Sequence, residues 1–351
     1  MKDYDIRLKL MAMFISALIV ISFFIATEII CRFVDNPSRL EKITAVLEED
    51  IHFIWKNRSN LHQYFFEGFI NTNDHGFRTT HNLTTKKKDS IRVLILGASP
   101  SFGWGVNDNE TYSSLLENRL QKNSNQTIEV INGSMIGYSS FQGLKLLDTY
   151  IKIIRPDIIT VSYVINDVDR FRFFQNNGIP DNKLDKSGYF KIVINNFLRQ
   201  FALPRVLRRS LIKYFQKTNK SEVTRVPRVS INDYGRNLEN FIELAKKHNA
   251  KIVFLKMPVN LPTLLPEESK DFKNDIAIQC AKDAILYNKK MDEVADNNSI
   301  PIVDIVHAFN QIKDRYLYVD QKIDTIHPNK HGHQIIAKQL EQRLIKFSHE
   351  K

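Results

Sequence analysis

The residues of this chain whose types and spacing could do chemistry fall into four short stretches, each following an apolar run or a short helix. Gly97-Ala98-Ser99-Pro100-Ser101-Phe102-Gly103 offers a serine at a tight turn. Asn132-Gly133-Ser134-Met135-Ile136-Gly137-Tyr138 offers a glycine, and Val164-Ile165-Asn166-Asp167 an asparagine. Asp324-Thr325-Ile326-His327-Pro328-Asn329 offers an acid three residues ahead of a histidine. A serine hydroxyl attacks a carbonyl only when a base takes its proton, and histidine has the pKa for that work. The base needs an acceptor on its other ring nitrogen, which fixes its tautomer and stabilises the imidazolium. Three residues of spacing in a turn can put Asp324 within reach of His327. The tetrahedral intermediate needs donors aimed at its oxyanion, a task that backbone N–H groups and asparagine amides perform. Ser99 N–H, Gly137 N–H and the Asn166 side chain would supply three.

Each stretch also has a plainer reading. Ser99 alone is an ordinary turn serine, and only Asp324 and His327 raise it above that. Gly97 with Gly103 and Gly105 resembles a phosphate-cradling loop, but no Gly-Lys-Ser/Thr follows and the dinucleotide fingerprint is missed. Asn166 could simply cap the next turn. His327, His331 and His333 suggest a metal, yet Pro328 and Asn329 open a helix, so His331 and His333 diverge and no cysteine or carboxylate completes a set. Neither a metal nor a cofactor is expected.

The elements that must position these residues alternate. Ile91–Leu96, Thr127–Asn132, Asp157–Tyr163, Lys251–Met257 and Ile300–Ile305 are β-branched apolar runs of the kind that form parallel strands buried on both faces. Helical patterns separate and follow them at Glu110–Gln121, Phe141–Ile154, Asn232–His248, Phe272–Asn297 and Asn329–Phe347. The alternation predicts βαβ units and a doubly wound α/β sheet, whose site lies beyond the carboxyl ends of its strands.

The order Ser, Gly, Asn, then Asp-x-x-His resembles the four blocks of the SGNH (GDSL-type) hydrolases, over about residues 91 to 347. Phe102-Gly103-Trp104-Gly105-Val106, Gly137-Tyr138-Ser139, His327-Pro328-Asn329 and Gly332-His333 extend the likeness. Asn73-Asp74-His75-Gly76-Phe77-Arg78 is similar to an entry motif of membrane-anchored bacterial members. The resemblance implies a flavodoxin-like three-layer sandwich with a five-stranded parallel sheet, acting on ester bonds. It implies Ser99 as nucleophile, His327 as base, Asp324 as its orienter, and Gly137 and Asn166 as oxyanion donors beside the Ser99 N–H. The chain departs from the family pattern at Ala98, Val164 and Ser134, where the family carries aspartate, glycine and glycine.

Of the 351 residues, 43% are apolar and 25% charged, which excludes wholesale disorder. Two cysteines, Cys31 and Cys280, exclude a disulfide scaffold and a four-cysteine zinc module. The net charge of +11 favours anionic surroundings without choosing among them. Leu10–Thr27 is an uncharged stretch that as a helix spans about 27 Å, one hydrocarbon core. Lys2, Arg7 and Lys9 precede it, favouring a cytoplasmic N-terminus and an exported remainder, with Arg32 counting slightly against. Ile25, Ala26 and Thr27 make a poor cleavage site, so an uncleaved anchor is favoured over a signal peptide. The expected organisation is residues 1–33 as cytoplasmic tip and anchor, 34–88 as stalk and entry segment, and 89–351 as catalytic domain.

A basic helical insertion is expected at about residues 186–228, with apolar residues at near-helical spacing. It suits either a helix packing its apolar face on the sheet or an amphipathic segment on an anionic membrane. The expected partners are an ester or acylated-glycan substrate and the membrane, not nucleic acid, and the oligomeric state is not legible. The activity expected is a serine esterase outside the cytoplasm, working through an acyl-enzyme on Ser99 on a substrate such as an O-acetyl ester. An O-acyltransferase for an exported polysaccharide and a non-catalytic binding module of the same fold remain open.

Overall fold

The computed structural model describes residues 2–174, 178–184, 188–215, 226–258, 272–312, 316–320 and 324–349. The chain opens with α1 (Lys2–Val34), long and apolar enough over Ile6–Val34 to cross a membrane and with none of its most apolar 18 residues buried, and a short α2 (Arg39–Ala45). Two antiparallel hairpins follow, β1 (Leu47–Asp50) with β2 (Ile54–Asn57), and β3 (His62–Phe65) with β4 (Gly68–Asn71).

The alternating region then begins. Strand β5 (Ile91–Gly97) runs into a one-turn helix α3 (Ser99–Phe102), α4 (Tyr112–Lys122) and β6 (Ile128–Asn132). Next come α5 (Ser140–Ile154), β7 (Ile158–Ser162), the short α6 (Ile165–Val168), α7 (Tyr189–Leu198) and α8 (Ala202–Phe215). The chain returns through α9 (Ile231–Lys247), β8 (Lys251–Lys256), α10 (Phe272–Asn298), β9 (Ile302–Asp304) and α11 (Ile305–Asn310). A hairpin of β10 (Tyr318–Asp320) and β11 (Asp324–Pro328) leads into α12 (Lys330–His349).

Five strands form one parallel sheet in the order β6-β5-β7-β8-β9: the doubly wound sheet that the alternation predicts, in the flavodoxin-like arrangement that the resemblance implies. The central strands are buried along nearly their whole length because helices cover both faces. Helices α4 and α12 pack together on one side, where Tyr112, Leu116, Ile336 and Leu340 join Val93, Ile95, Val253 and Leu255 in one apolar cluster. Helices α5, α9 and α10 form the other layer. Helix ends follow local signals: Thr111 accepts the Ser114 N–H to start α4, and Ser230 accepts the Asp233 N–H to start α9.

The chain divides into two compact units. One holds Val46–Lys186 and Val223–Lys351, so it includes both N-terminal hairpins and the sheet. From Val46 on, the stretch expected to be stalk and entry contributes buried residues, among them Leu47, Phe53, Trp55, Asn57, Ile70 and Phe77. The other unit holds Met1–Ala45 and Ser187–Glu222, that is α1, α2, α7 and α8.

Candidate active site

Ser99 is the first residue of α3, reached from β5 through Ala98. The turn is sharp because Gly97 lies against β7, where a Cβ would collide with Ser162 Oγ and with the Ser101 side chain. As the first helical residue, Ser99 has an N–H that no carbonyl of α3 can reach. Its carbonyl accepts the N–H groups of Gly103 and Trp104, at 3.2 Å each, which closes the loop around it.

His327 lies on β11 and brings Nε2 to 2.8 Å from Ser99 Oγ. With the proton on Nδ1, Nε2 accepts the hydroxyl hydrogen, the arrangement a general base requires. The imidazole stacks on the Trp104 indole, with centroids 4.5 Å apart and planes 14° from parallel. Trp104 is itself held edge-on by Phe65 and face-on by Phe66, both from the β3–β4 hairpin region. The Asp324-to-His327 segment was expected as a turn, but it is an extended strand paired with β10, because Asp324 and Pro328 find partners in Asp320 and Tyr318. The Asp324 side chain lies outside the described residues.

Gly137 sits in the loop after β6 with φ +78°, a left-handed conformation in which a side chain would also strike the Phe173 ring. Its carbonyl accepts from Arg228 Nη1 at 2.8 Å, which fixes the plane of the peptide bond that follows Gly137. Asn166 is on the one-turn helix α6, after β7, and donates from Nδ2 to the Tyr138 carbonyl at 3.0 Å. The asparagine amide and the Gly137 loop are therefore tied to each other.

Several residues that the sequence did not single out for a role hold these loops. Arg78 is buried and donates to the carbonyls of Phe102, Gly103, Phe69 and Val106 and to Asp108, so one guanidinium braces the segment after Ser99. Burial pulls its pKa below the ordinary arginine value against the opposing field of Asp108. Asn57 donates to the carbonyls of Gly76 and Ser134 and accepts the Ile136 N–H. Trp55 donates from Nε1 to the Ile136 carbonyl and accepts from the Tyr138 hydroxyl on its own carbonyl. Arg228, counted in the sequence among the basic residues of the insertion, is instead buried and paired with Asp181 at 2.9 Å. The Asn-x-x-Gly-Phe-Arg match was the one local signal for the Arg78 brace. Arg228 carried none, because a charged residue in a basic stretch reads as surface.

His333 is structural. It is fully buried, stacks on Tyr112 and accepts the Tyr112 N–H on Nδ1 at 3.1 Å. Burial, with Arg78 and His327 nearby, pushes its pKa down to about 3, so it stays neutral through the physiological range.

Residues 95–335 match the family described as GDSL-like lipase/acylhydrolase. The chain belongs to that family. It is accordingly an ester-bond hydrolase of the SGNH type. Among solved structures, it is similar to LAE5, described as an α/β hydrolase from the metagenome of Lake Arreo, Spain, at 18% identity and TM-score 0.44, covering 74% of this chain and 96% of that one. It is also similar to a variant of Axe2, an acetyl-xylooligosaccharide esterase from Geobacillus, at 15% identity and TM-score 0.45, covering 74% and 95%. TesA shows 15% identity and TM-score 0.43, covering 71% and 95%. No curated protein sequence matches the chain.

Beside Asn166, Asp167 is fully buried, with Oδ1 accepting both the N–H (2.9 Å) and the hydroxyl (2.5 Å) of Ser140. Burial pushes its pKa up to about 7, against the Ser140 hydrogen bonds and Arg228. The folded state thus binds a proton more tightly than the unfolded chain. The associated stability is complete below about pH 4 and is lost as pH rises through about 7. Asp167→Asn keeps the shape without the charge. Its stability relative to wild type should rise with pH by on the order of 1 kcal/mol per unit between about pH 4 and 7, read from urea unfolding at several pH values. A pH-independent difference would place the Asp167 pKa near its ordinary value.

Proposed function

We propose that this protein is a serine esterase for short acyl esters, acting through an acyl-enzyme on Ser99 outside the cytoplasm and held to the membrane by α1. The observation that carries the catalytic reading is the 2.8 Å approach of Ser99 Oγ to His327 Nε2 at the carboxyl end of the sheet. In this mechanism His327 takes the hydroxyl proton as Oγ bonds to the ester carbonyl carbon. The carbonyl electrons move to oxygen, where Ser99 N–H, Gly137 N–H and Asn166 Nδ2 donate to the oxyanion. Collapse expels the alcohol, which takes the proton from the imidazolium. Water, deprotonated by His327, then releases the acid and restores Ser99. Asp324 is assigned as the orienter of His327 from the resemblance of the Asp-x-x-His block to the family pattern, since in the extended β11 the spacing alone no longer brings the two side chains together.

The preference for a short acyl group rests on a small pocket lined in part by the residues on either side of Ser99. Ala98, Pro100, Ser162, Val164, Ile165, Met257, Pro258 and Ile326 line a pocket of about 10 Å³, room for roughly one water-sized group such as a methyl. Two of the departures from the family pattern, Ala98 and Val164, stand in its wall. Where glycine would leave room, the valine side chain occupies it.

The test is turnover of p-nitrophenyl acetate, butyrate and octanoate, with a fluorophosphonate probe to label the nucleophile. Acetate should exceed octanoate by about 10–100-fold in kcat/KM, the discrimination that a few methylenes can produce in a tight pocket. Mass spectrometry should place the phosphonyl adduct on Ser99. A folded protein that neither turns over the esters nor takes the probe would overturn the catalytic reading in favour of a binding module. Labelling without ester hydrolysis, with acyl groups passed to an added glycan, would replace water by a sugar hydroxyl as acceptor. Val164→Gly should narrow the acetate preference by about tenfold.

A further inference from the structure

Helix α7 is amphipathic with its faces inverted. Phe190, Val193, Ile194 and Phe197 recur at the spacing of one helical face, and all four are exposed, Phe190 to 80%. The covered face carries Ile192, 6% exposed, together with the half-buried Asn195, Asn196 and Arg199. A helix of a water-soluble protein turns its apolar side inward and its polar side outward. Four large apolar side chains on one outer ridge mark a surface that meets an apolar medium or partner.

The same compact unit shows which. Three residues after α7, helix α8 begins, and its first two N–H groups, of Ala202 and Leu203, donate to Glu28 Oε1 and Oε2 at 2.9 Å each. Asp35 pairs with Arg205 at 2.8 Å and with Arg209 at 2.7 Å, and Glu41 with Arg209 at 3.1 Å. These contacts fasten α8 to the end of α1 and to the segment just past it. Glu28 directly follows the uncharged stretch Leu10–Thr27, so the start of α8 is held where α1 leaves the hydrocarbon. The four steps from Leu198 to Ala202 reach about 14 Å at most, which keeps the end of α7 close to that level. Ile29, Ile30 and Phe33 continue the exposed apolar surface of α1 past Glu28.

We infer that α7 is a second membrane contact, lying in the bilayer interface with Phe190, Val193, Ile194 and Phe197 among the acyl chains, docked beside the anchor because α8 is held by Glu28 of α1, by Asp35 just past it and by Glu41 of α2. This rests on the reading of α1 as a membrane anchor. It differs from an electrostatic contact. The ridge of α7 is made of four apolar side chains, and Arg205 and Arg209 of α8 are engaged by Asp35 and Glu41, so the contact needs no anionic lipid.

The full chain is reconstituted in phosphatidylcholine bilayers containing lipids brominated either near the headgroup or deep in the acyl chain. Phe190→Trp and Phe197→Trp report on α7, and Leu18→Trp on the anchor, each corrected for Trp55 and Trp104 with the wild-type chain. Shallow bromines should quench the α7 tryptophans by at least twofold, and deep bromines the Leu18→Trp fluorophore. Both effects should persist at 0.5 M salt without anionic lipid. Quenching at position 18 with none at 190 or 197 would overturn the α7 contact and leave the anchor standing. If that chain also runs as a dimer, the ridge belongs to a second copy. No quenching at any of the three positions would remove the anchor, and the α7 contact with it. Quenching at 190 and 197 that vanishes in salt would overturn the apolar docking.

Discussion

Ser99→Ala is expected to lower kcat on p-nitrophenyl acetate by about 10⁴–10⁶-fold with no loss of the fold. The size follows from what the hydroxyl does. Without Oγ there is no bond through which the acyl group can leave its alcohol, and only oxyanion stabilisation and binding remain to help water attack directly. The stability effect should be small. Ser99 is nearly buried, but its hydroxyl has a single partner among the described residues, His327 Nε2, and the imidazole keeps its stacking on Trp104. Residues that act as a unit are not additive, so Ser99→Ala combined with His327→Ala should be no slower than the worse single variant, within about threefold. Multiplicative losses would mean that the two side chains serve separate steps. Turnover in Ser99→Ala equal to wild type would place the nucleophile elsewhere.

The parts of this molecule legible in its sequence are those whose signal is local. Each parallel strand is an apolar β-branched run such as Ile91-Arg92-Val93-Leu94-Ile95-Leu96, and burial on both faces is what makes such a run necessary. The helices between them carry their own periodicity and caps, so their ends fall within about two residues of expectation. Ser99, Gly137 and Asn166 were legible as candidates because each follows a strand, where a doubly wound sheet places its site. The approach of His327 to Ser99 spans 228 residues, and no local pattern could have placed it without the four-block resemblance.

What escaped depends on long-range partners. The hairpins at Leu47–Asn57 and His62–Asn71 have strands of four residues with mixed polarity, too short for a period-two signal. Their purpose appears only when Trp55 meets Ile136, 81 residues away, and Phe65 packs on Trp104 beneath the catalytic loop. The strand at Asp324–Pro328 was missed for the same reason, since its polar sequence is extended by pairing with β10 rather than by propensity. Arg228 looked like surface charge and is buried against Asp181 and the Gly137 carbonyl. For α7 the helical period was visible, but not which face would be covered.

Asn166→Ala is expected to lower kcat by about 10²–10³-fold while changing KM little, the usual consequence of losing one oxyanion donor. One amide hydrogen of Asn166 is committed to the Tyr138 carbonyl at 3.0 Å, and that bond sets the direction of the other. The substitution therefore removes a donor and also releases the loop that carries Gly137. A second substitution separates these effects. Asn166→Asp keeps the size of the side chain but replaces the donating amide with a carboxylate, which repels both the Tyr138 carbonyl and the developing oxyanion. It should be slower than Asn166→Ala. If Asn166 were only a brace for the Gly137 loop, both variants would lose stability in proportion to activity, and lowering the temperature would restore turnover. If it donates to the oxyanion, the loss in kcat should survive under conditions where the variants are fully folded. An Asn166→Ala enzyme within a factor of two of wild type would leave the oxyanion to Ser99 N–H and Gly137 N–H alone. Trp55 would then be the side chain that most directly sets one of the two remaining donors, since its Nε1 holds the Ile136 carbonyl, which shares a peptide plane with the Gly137 N–H, while Arg228 holds the following peptide through the Gly137 carbonyl.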